Sequence, residues 1–584
     1  MQQIAPVEEV EAVASHTSRF QPARVLQTVF REDSFFLILS VFIGIFSGLA
    51  VVCFRYAIDW CQLYLLGSGA EPSHSRLLLA PALTGILIAI IVIHFFPASR
   101  GSGVNQTKAA LYIYNGFIPL KTAVGKFICS ALAIGSGQSL GPEDPSLQIG
   151  ASLASALGRK LHLSRERMRL IAPVGAAAGL AAAFNAPISA VLFVIEEVIG
   201  RWTAGILGSV VLSAVSSVVV MRWFLGSESM FRIPPVELKS PSELIAYSIL
   251  GIIGGLASVV FASGIQELRP RFRRMSPWTQ YLQPAVAGLV IGVIAMLGAP
   301  QVMGAGYVYI DQAMHGQFTW QFLAILALLK IVATLVSFVS GTPGGMFAPT
   351  LFIGAMLGAA VGGVEHMLYP HLSSSPGTFA LVGMGVLFAG FLRVPMTSVF
   401  MVLEVSGNYT IIVPVMIANT FAYVISRGLM PTPIFDVLSR QDGMELPSME
   451  EQREESILRV EDAMQPPSDP ILNPEDSVEK AERLAEQTSR HVLLVRLRPS
   501  GWSTVGIEEL KKLVAEGKGT QPIESVLTGD PVPSLHPDLP LDTALRYVDR
   551  WPVVPVVNRA DLSEVEGLIT ERDVLERYRD FGGE

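Results

Sequence analysis

Residues 126–153 (KFICSALAIGSGQSLGPEDPSLQIGASL) and 330–357 (KIVATLVSFVSGTPGGMFAPTLFIGAML) repeat each other without a gap, 204 positions apart. Lys126 falls on Lys330, Gly137 on Gly341, Gly141 on Gly345, Pro145 on Pro349 and Gly150 on Gly354. At an offset of 208 the register resumes and pairs Val174 with Val382, Pro187 with Pro395 and Glu196 with Glu404. A unit duplicated in this way must bury two similar apolar surfaces, and its helices are broken by Gly and Pro at matching places. Apolar repeats interrupted at corresponding positions are the pattern of a secondary transporter whose site lies between the repeats. The copies also disagree: Glu143 stands opposite Phe347 and Glu197 opposite Val405. These two carboxylates have no acidic counterpart in the other copy, and they are the first candidates for chemistry.

Only 16% of residues are charged and 51% are hydrophobic, which places most of the chain in a membrane. Residues 1–440 carry 26 Lys and Arg against 20 Asp and Glu, whereas 441–584 carry 16 against 30. The last quarter reads as a water-soluble domain. Stretches near 35–52, 77–96, 206–223, 243–263, 281–298, 319–340 and 410–427 approach the length of about 20 apolar residues that a helix needs to cross a bilayer. Pieces at 122–136, 145–157, 167–183, 187–199, 349–363, 378–391 and 395–406 read as too short or too interrupted to be simple spans. Arg19, Arg24 and Arg31 before the first span predict a cytoplasmic N-terminus. Cys53, Cys61 and Cys129 lack ligand spacing and read as small core residues.

Non-helical backbone survives at membrane depth only where protein buries it or an aqueous cavity receives it. GSGVN (101–105), GSGQSLGPEDP (135–145) and SGTPGGMFAP (340–349) are such interruptions, each followed by a helical run. A helix that starts after a Gly-rich loop aims free N–H groups and the positive end of its dipole at that loop, which makes an anion site. A carboxylate such as Glu143 beside those helix starts can take the anion's place when ionised and give it up when protonated.

GSGVN, GPEDP (141–145), GGMFAP (344–349) and FVIEE (193–197), in that context, resemble the signature stretches of the CLC family of chloride channels and chloride/proton antiporters. The resemblance covers roughly 35–440. It implies an all-α polytopic membrane domain with inverted repeats and broken helices, two-fold homodimers in the lipid bilayer, and one anion pathway per subunit. By motif position, Ser102 would give a hydroxyl to a central anion, and the N–H groups of Met346 and Phe347 would hold it. The backbone of Gly141, Pro142, Glu143 and Asp144 would form an external anion site. Glu143 would be the gating glutamate and Glu197 the internal proton-transfer glutamate of antiporters. The chain departs from the family at Pro142, usually arginine, at Asp144, usually glycine, and at Asn105, usually proline. Phe435, in PIFDVLSRQ (433–441), stands where the family has a tyrosine that coordinates the central anion. The expected activity is exchange of chloride for protons, with a passive, pH-gated chloride channel as the alternative.

From 458 the pattern turns to soluble α/β, with strands at 492–497 and 551–557 and helices at 478–487, 508–517 and 541–550. VEGLITERDVLERY (565–578) resembles the closing strand and helix of a cystathionine-β-synthase (CBS) domain, and STVGIEELKKLV (503–514) resembles a degenerate earlier copy. That resemblance implies a tandem CBS pair in which Thr570 and Asp573 would hold the ribose of an adenine nucleotide; no other cofactor is expected. The organisation expected is a cytoplasmic N-terminal segment (1–34), a transmembrane domain (35–440, halves about 35–225 and 240–440), a linker (441–457) and the CBS pair (458–584), with both termini cytoplasmic and the protein in the plasma or inner membrane. A net charge of −8 speaks against nucleic acid as a partner. No HExxH motif or Cys/His cluster marks an enzyme.

Overall fold

The computed structural model describes residues 32–67, 74–200, 204–227, 230–231, 240–370, 374–444, 446–447, 458–467, 471–488, 492–497, 501–527, 531–559 and 561–581. Arg19, Arg24, Arg31 and residues 448–457 of the expected linker lie outside the described residues. The chain divides into two compact units, Met1–Met449 and Glu450–Glu584.

The first unit is helical. Its first half contains α1 (Glu32–Leu65), α2 (His74–His94), α3 (Gly103–Tyr112), α4 (Leu120–Gly135), α5 (Glu143–Lys160), α6 (Arg165–Phe184), α7 (Pro187–Phe193) and α8 (Ala204–Leu225). The second half contains α9 (Glu243–Arg273), α10 (Gln283–Met296), α11 (Tyr307–Met314), α12 (Trp320–Val339), α13 (Phe347–Leu368), α14 (Pro376–Phe391), α15 (Pro395–Ser406), α16 (Ile412–Leu429) and α17 (Ile434–Gln441). Each sequence interruption spans a gap between helices and runs into the first turn of the next, and α5 and α13 begin at the equivalent residues Glu143 and Phe347.

Symmetry between the halves is carried by specific contacts. Gly141 and Gly345, equivalent by sequence, exchange both backbone hydrogen bonds at 2.8 Å in an antiparallel bridge. Equivalent segments that meet antiparallel require the two copies to be inverted. Glu196 crosses to the start of α15, accepting from Thr397 N (2.9 Å) and Thr397 Oγ1 (2.8 Å). Glu404 returns the contact at the start of α7, accepting from Ser189 N (2.9 Å), Ser189 Oγ (2.7 Å) and Ile188 N (2.9 Å). Each acid satisfies helix-start N–H groups that would otherwise lack partners. Either Glu196→Ala or Glu404→Ala should cost about 1–2 kcal/mol, the loss of one cap; thermal unfolding in detergent should give similar decreases for the two, since their contacts match.

Close backbone approach is symmetric as well. A Cβ on Gly150 would run into the Gly175 carbonyl, and one on Gly354 into the Gly383 carbonyl, so α5 packs directly on α6 and α13 on α14. This packing corrects two of the expected short pieces. Residues 167–183 and 349–363 belong to full-length helices of 20 and 22 residues, among the eight described helices long and apolar enough to cross a membrane. They are 72% and 78% buried inside the protein, so small Ala and Gly replace the large apolar residues that a lipid-facing span displays. Conversely, the expected span at 281–298 contains a helix of only 14 residues, α10, with a single 3-10 turn before it. Cys129 is buried, but Cys53 is exposed on the outer face of α1 and is not a core residue.

The second unit contains α18 (Val460–Ala463), α19 (Val478–Thr488), β1 (Val492–Leu497), β2 (Gly501–Gly506), α20 (Ile507–Ala515), α21 (Ile523–Val526), α22 (Leu541–Val548), β3 (Val554–Val557), β4 (Val565–Ile569) and α23 (Glu571–Phe581). Helix, antiparallel strand pair and helix occur twice in succession, α19–β1–β2–α20 and α22–β3–β4–α23. Each copy has its own apolar cluster, around Leu493, Val505 and Leu510 in the first and Val556, Ile569 and Val574 in the second.

Candidate functional site

Loop–helix junctions from both halves converge around the Gly141–Gly345 bridge. Glu143, the first residue of α5, is fully buried. Its Oε1 accepts a hydrogen bond from the Tyr307 hydroxyl, and its Oε2 lies over Gly141, where an added Cβ would also meet the amide nitrogen of Ala348 at 3.0 Å. The carboxylate thus sits in the angle between the starts of α5, α11 and α13. Negative charge is favoured at a helix N-terminus, so this is where an anion would reside in its absence. Met346 caps α13 and Phe347 is its first residue, both buried. The Phe347 ring contacts Phe193 (5.0 Å between centroids), Phe184 (6.1 Å), Phe388 (5.6 Å) and Phe435 (6.4 Å). These rings form a dry apolar wall beside the helix starts, and Phe435 belongs to it.

Ser102 is the N-cap of α3 and accepts from Val104 N at 3.2 Å. It is also buried. Asp144 reaches α3 rather than α13: its Oδ1 accepts from Gly103 N (2.6 Å) and Val104 N (3.1 Å). Two consecutive carboxylates therefore serve two different helix starts. Pro142 is the N-cap of α5 and, with no N–H of its own, offers no donor there.

Glu197 lies in the π-helical turn that follows α7 and is 3% exposed. Lys108 of α3, also buried, pairs with it at 2.9 Å and with Asp436 of α17 at 3.4 Å. Asn105 Nδ2 donates to the Phe435 carbonyl at 2.8 Å, a second tie from α3 to the start of α17.

Two cavities open near this region. One, of about 670 Å³, is lined by Arg55, Asp59, Gly137, Pro142, Gly306 and Tyr307 and reaches the Glu143 side. The other, of about 1050 Å³, is lined by Arg100, Gln106, Arg269, Arg273, Gly341 and Asp442 and lies on the α3 side. Three arginines against one aspartate give the second a positive potential suited to collecting anions. Lys126 and Lys330, equivalent in the two copies, each cap backbone carbonyls: Lys126 those of Ser99 (3.2 Å) and Gly101 (2.6 Å), Lys330 those of Val302 (2.9 Å) and Gly304 (2.7 Å).

Sequence reasoning missed Tyr307, Lys108 and Asp436. A signal for the first exists, because GAGY (304–307) repeats GSGV (101–104) and so marks a second helix start facing the same bridge. Lys108 and Asp436 left no such trace. In the second unit, Thr570 and Asp573 are together at the start of α23, where Thr570 Oγ1 and N donate to Asp573 Oδ2 at 2.6 and 2.9 Å. Among the described residues no cluster of three or more His, Cys, Asp or Glu could hold a metal ion.

The voltage gated chloride channel family matches residues 84–427, and the CBS domain matches 523–580. The ClcB-like chloride channel protein of Ralstonia nicotianae is 32% identical over 426 residues, covering 70% of this chain and 99% of that protein. The H(+)/Cl(-) exchange transporter ClcA of Salmonella arizonae is 30% identical, covering 73% of this chain and 93% of the transporter. Among solved structures, a slow cyanobacterial Cl-/H+ antiporter matches with a TM-score of 0.63 at 26% identity, covering 70% of this chain and 97% of the antiporter.

Proposed function

This chain belongs to the voltage gated chloride channel family, and we propose that it is a chloride/proton antiporter coupled through Glu143. It is an integral membrane protein of chloride transport that carries a C-terminal CBS domain. The observation that carries the finer reading is the position of Glu143, a buried carboxylate held where two halves of a duplicated unit aim their helix starts. While ionised it fills the anion's place; once protonated it loses the attraction of those N–H groups and of the dipoles behind them, and the anion can replace it. One side chain then links a proton to an anion. Met346 and Phe347 would hold the central anion through their amides, with the backbone of Gly141, Pro142, Glu143 and Asp144 lining an outer position. The similarity to an exchange transporter and to an antiporter supports coupling. The same reading takes the protein to be a homodimer in the plasma or inner membrane with both termini cytoplasmic. The test is chloride-driven proton uptake into liposomes: an outward chloride gradient should pull protons inward against their own gradient, and its absence alongside chloride flux would refute coupling.

A second reading, a passive channel gated by Glu143, is favoured by the Lys108–Glu197 pair. A carboxylate held by a lysine shared with Asp436 is tied to a fixed partner and is less free to relay protons. Glu197→Gln separates the two. If Glu197 lies on the proton route, the variant should lose about tenfold or more in proton flux, the scale of removing a positioned proton-transfer group, and should keep its chloride flux. Unchanged chloride-driven proton uptake would remove Glu197 from the route.

For the second unit, the proposal is that Thr570 and Asp573 hold the ribose hydroxyls of an adenine nucleotide. Their mutual hydrogen bonds at the start of α23 leave the Asp573 carboxylate able to accept further donors. Titration calorimetry with ATP and AMP on the full chain, with Asp573→Ala as control, decides it: no heat with either nucleotide leaves the pair as a helix cap.

A further inference from the structure

Asp144 is a buried carboxylate that the transport reading leaves without a task. It is 1% exposed, and its Oδ1 accepts from two consecutive amides at the start of α3, Gly103 N at 2.6 Å and Val104 N at 3.1 Å. The Ser102 side chain, which by motif would serve the central anion, shares the Val104 N–H with this carboxylate, its Oγ accepting at 3.2 Å. The facing cation is Lys126 of α4, whose Nζ rests on the Ser99 and Gly101 carbonyls, and the adjacent acid is Glu143. The surrounding backbone is shaped for this side chain: a Cβ on Gly103 would meet Asp144 Oδ1 at 2.7 Å, and one on Gly345 would meet Asp144 Cβ at 2.8 Å. The equivalent position in the second copy is Ala348, so this acid, like Glu143, breaks the duplication.

We infer that Asp144 is a tethered anion that occupies the α3 helix start and its Ser102 hydroxyl in place of transported chloride, and so sets the chloride affinity of the central site. The inference rests on the transport reading above. Chloride in this chain meets the amides of α13 on one side and finds the donors of α3 already engaged. Phe435 supplies no hydroxyl to compensate. Covalent attachment gives the carboxylate a high effective concentration that no free anion matches. Asp144→Gly should free Gly103 N–H, the Ser102 hydroxyl and the charge of Lys126 together, and chloride affinity should rise about tenfold or more, as expected for donors newly offered to a charged ligand. Asp144→Asn, close to the same size but uncharged, should raise it by less, because an amide oxygen can keep the Gly103 N–H.

The experiment is titration calorimetry of the purified full chain with sodium chloride, run on wild type, Asp144→Gly and Asp144→Asn, with chloride flux measured on the same preparations in liposomes. Affinity rising in the order wild type, Asn, Gly supports the inference. If Asp144→Gly does not fold, a rise in Asp144→Asn alone supports it and no rise refutes it. Unchanged or weaker chloride binding in folded Asp144→Gly refutes it while wild-type chloride flux stands. Wild-type liposomes that pass no chloride would instead overturn the transport reading on which it depends.

Discussion

Glu143→Ala is expected to abolish proton coupling completely while chloride continues to move. On the transport reading the alanine removes the carboxylate that competes with the anion between the starts of α5 and α13, yet it leaves the amides of both helix starts and the Gly141–Gly345 bridge intact. Chloride-driven proton uptake should fall below detection, and chloride flux should lose its dependence on pH. Glu143→Gln should behave alike, since the amide mimics the protonated side chain. Tyr307 provides a control: Tyr307→Phe deletes only the hydroxyl that Glu143 accepts and should weaken coupling without abolishing it. A folded Glu143→Ala protein that passes no chloride would show the carboxylate to be part of the conduit rather than its gate.

The largest expected loss of stability is at Lys108. Replacing it with methionine preserves much of the packing but removes the cation that the buried Glu197 and Asp436 share. Breaking a buried ion pair from one side costs about 3–5 kcal/mol, mostly as the penalty of the uncompensated charge left behind. The unfolding temperature of Lys108→Met in detergent should drop by many degrees. The triple variant with Glu197→Gln and Asp436→Asn should recover most of that loss, because all three charges are then gone. Additive losses in place of recovery would mean that the three residues do not act as one network.

The broken helices were legible in the sequence because Gly and Pro leave a signature that does not depend on tertiary partners, and duplication printed it twice. Glu143 was legible for the same reason: a charge missing from one copy of a repeat stands out. Helix lengths at 167–183 and 349–363 were not, because Pro173 inside α6 and Pro349 in the first turn of α13 read as interruptions, whereas the packed helices run through both. The partners of the acids were hidden for another reason. Lys108 meets Glu197 and Asp436 across 89 and 328 positions of chain, and no local periodicity encodes such a meeting. Glu196 shows the intermediate case, where recurrence as Glu404 marked it as scaffold and only the fold revealed that each acid caps the other half.

The hydrogen-bonded bridge between Gly141 and Gly345 limits what can move. Each hydrogen bond is worth about 4–6 kcal/mol in an apolar medium when nothing replaces it, and here two of them weld the midpoints of the inverted halves. A cycle in which the halves rocked apart would have to break both in every turnover. On the transport reading, a rigid centre of this kind would leave the work of exposing the site first to one face of the membrane and then to the other to side chains a few atoms long, and the moving part would be smaller than a single residue.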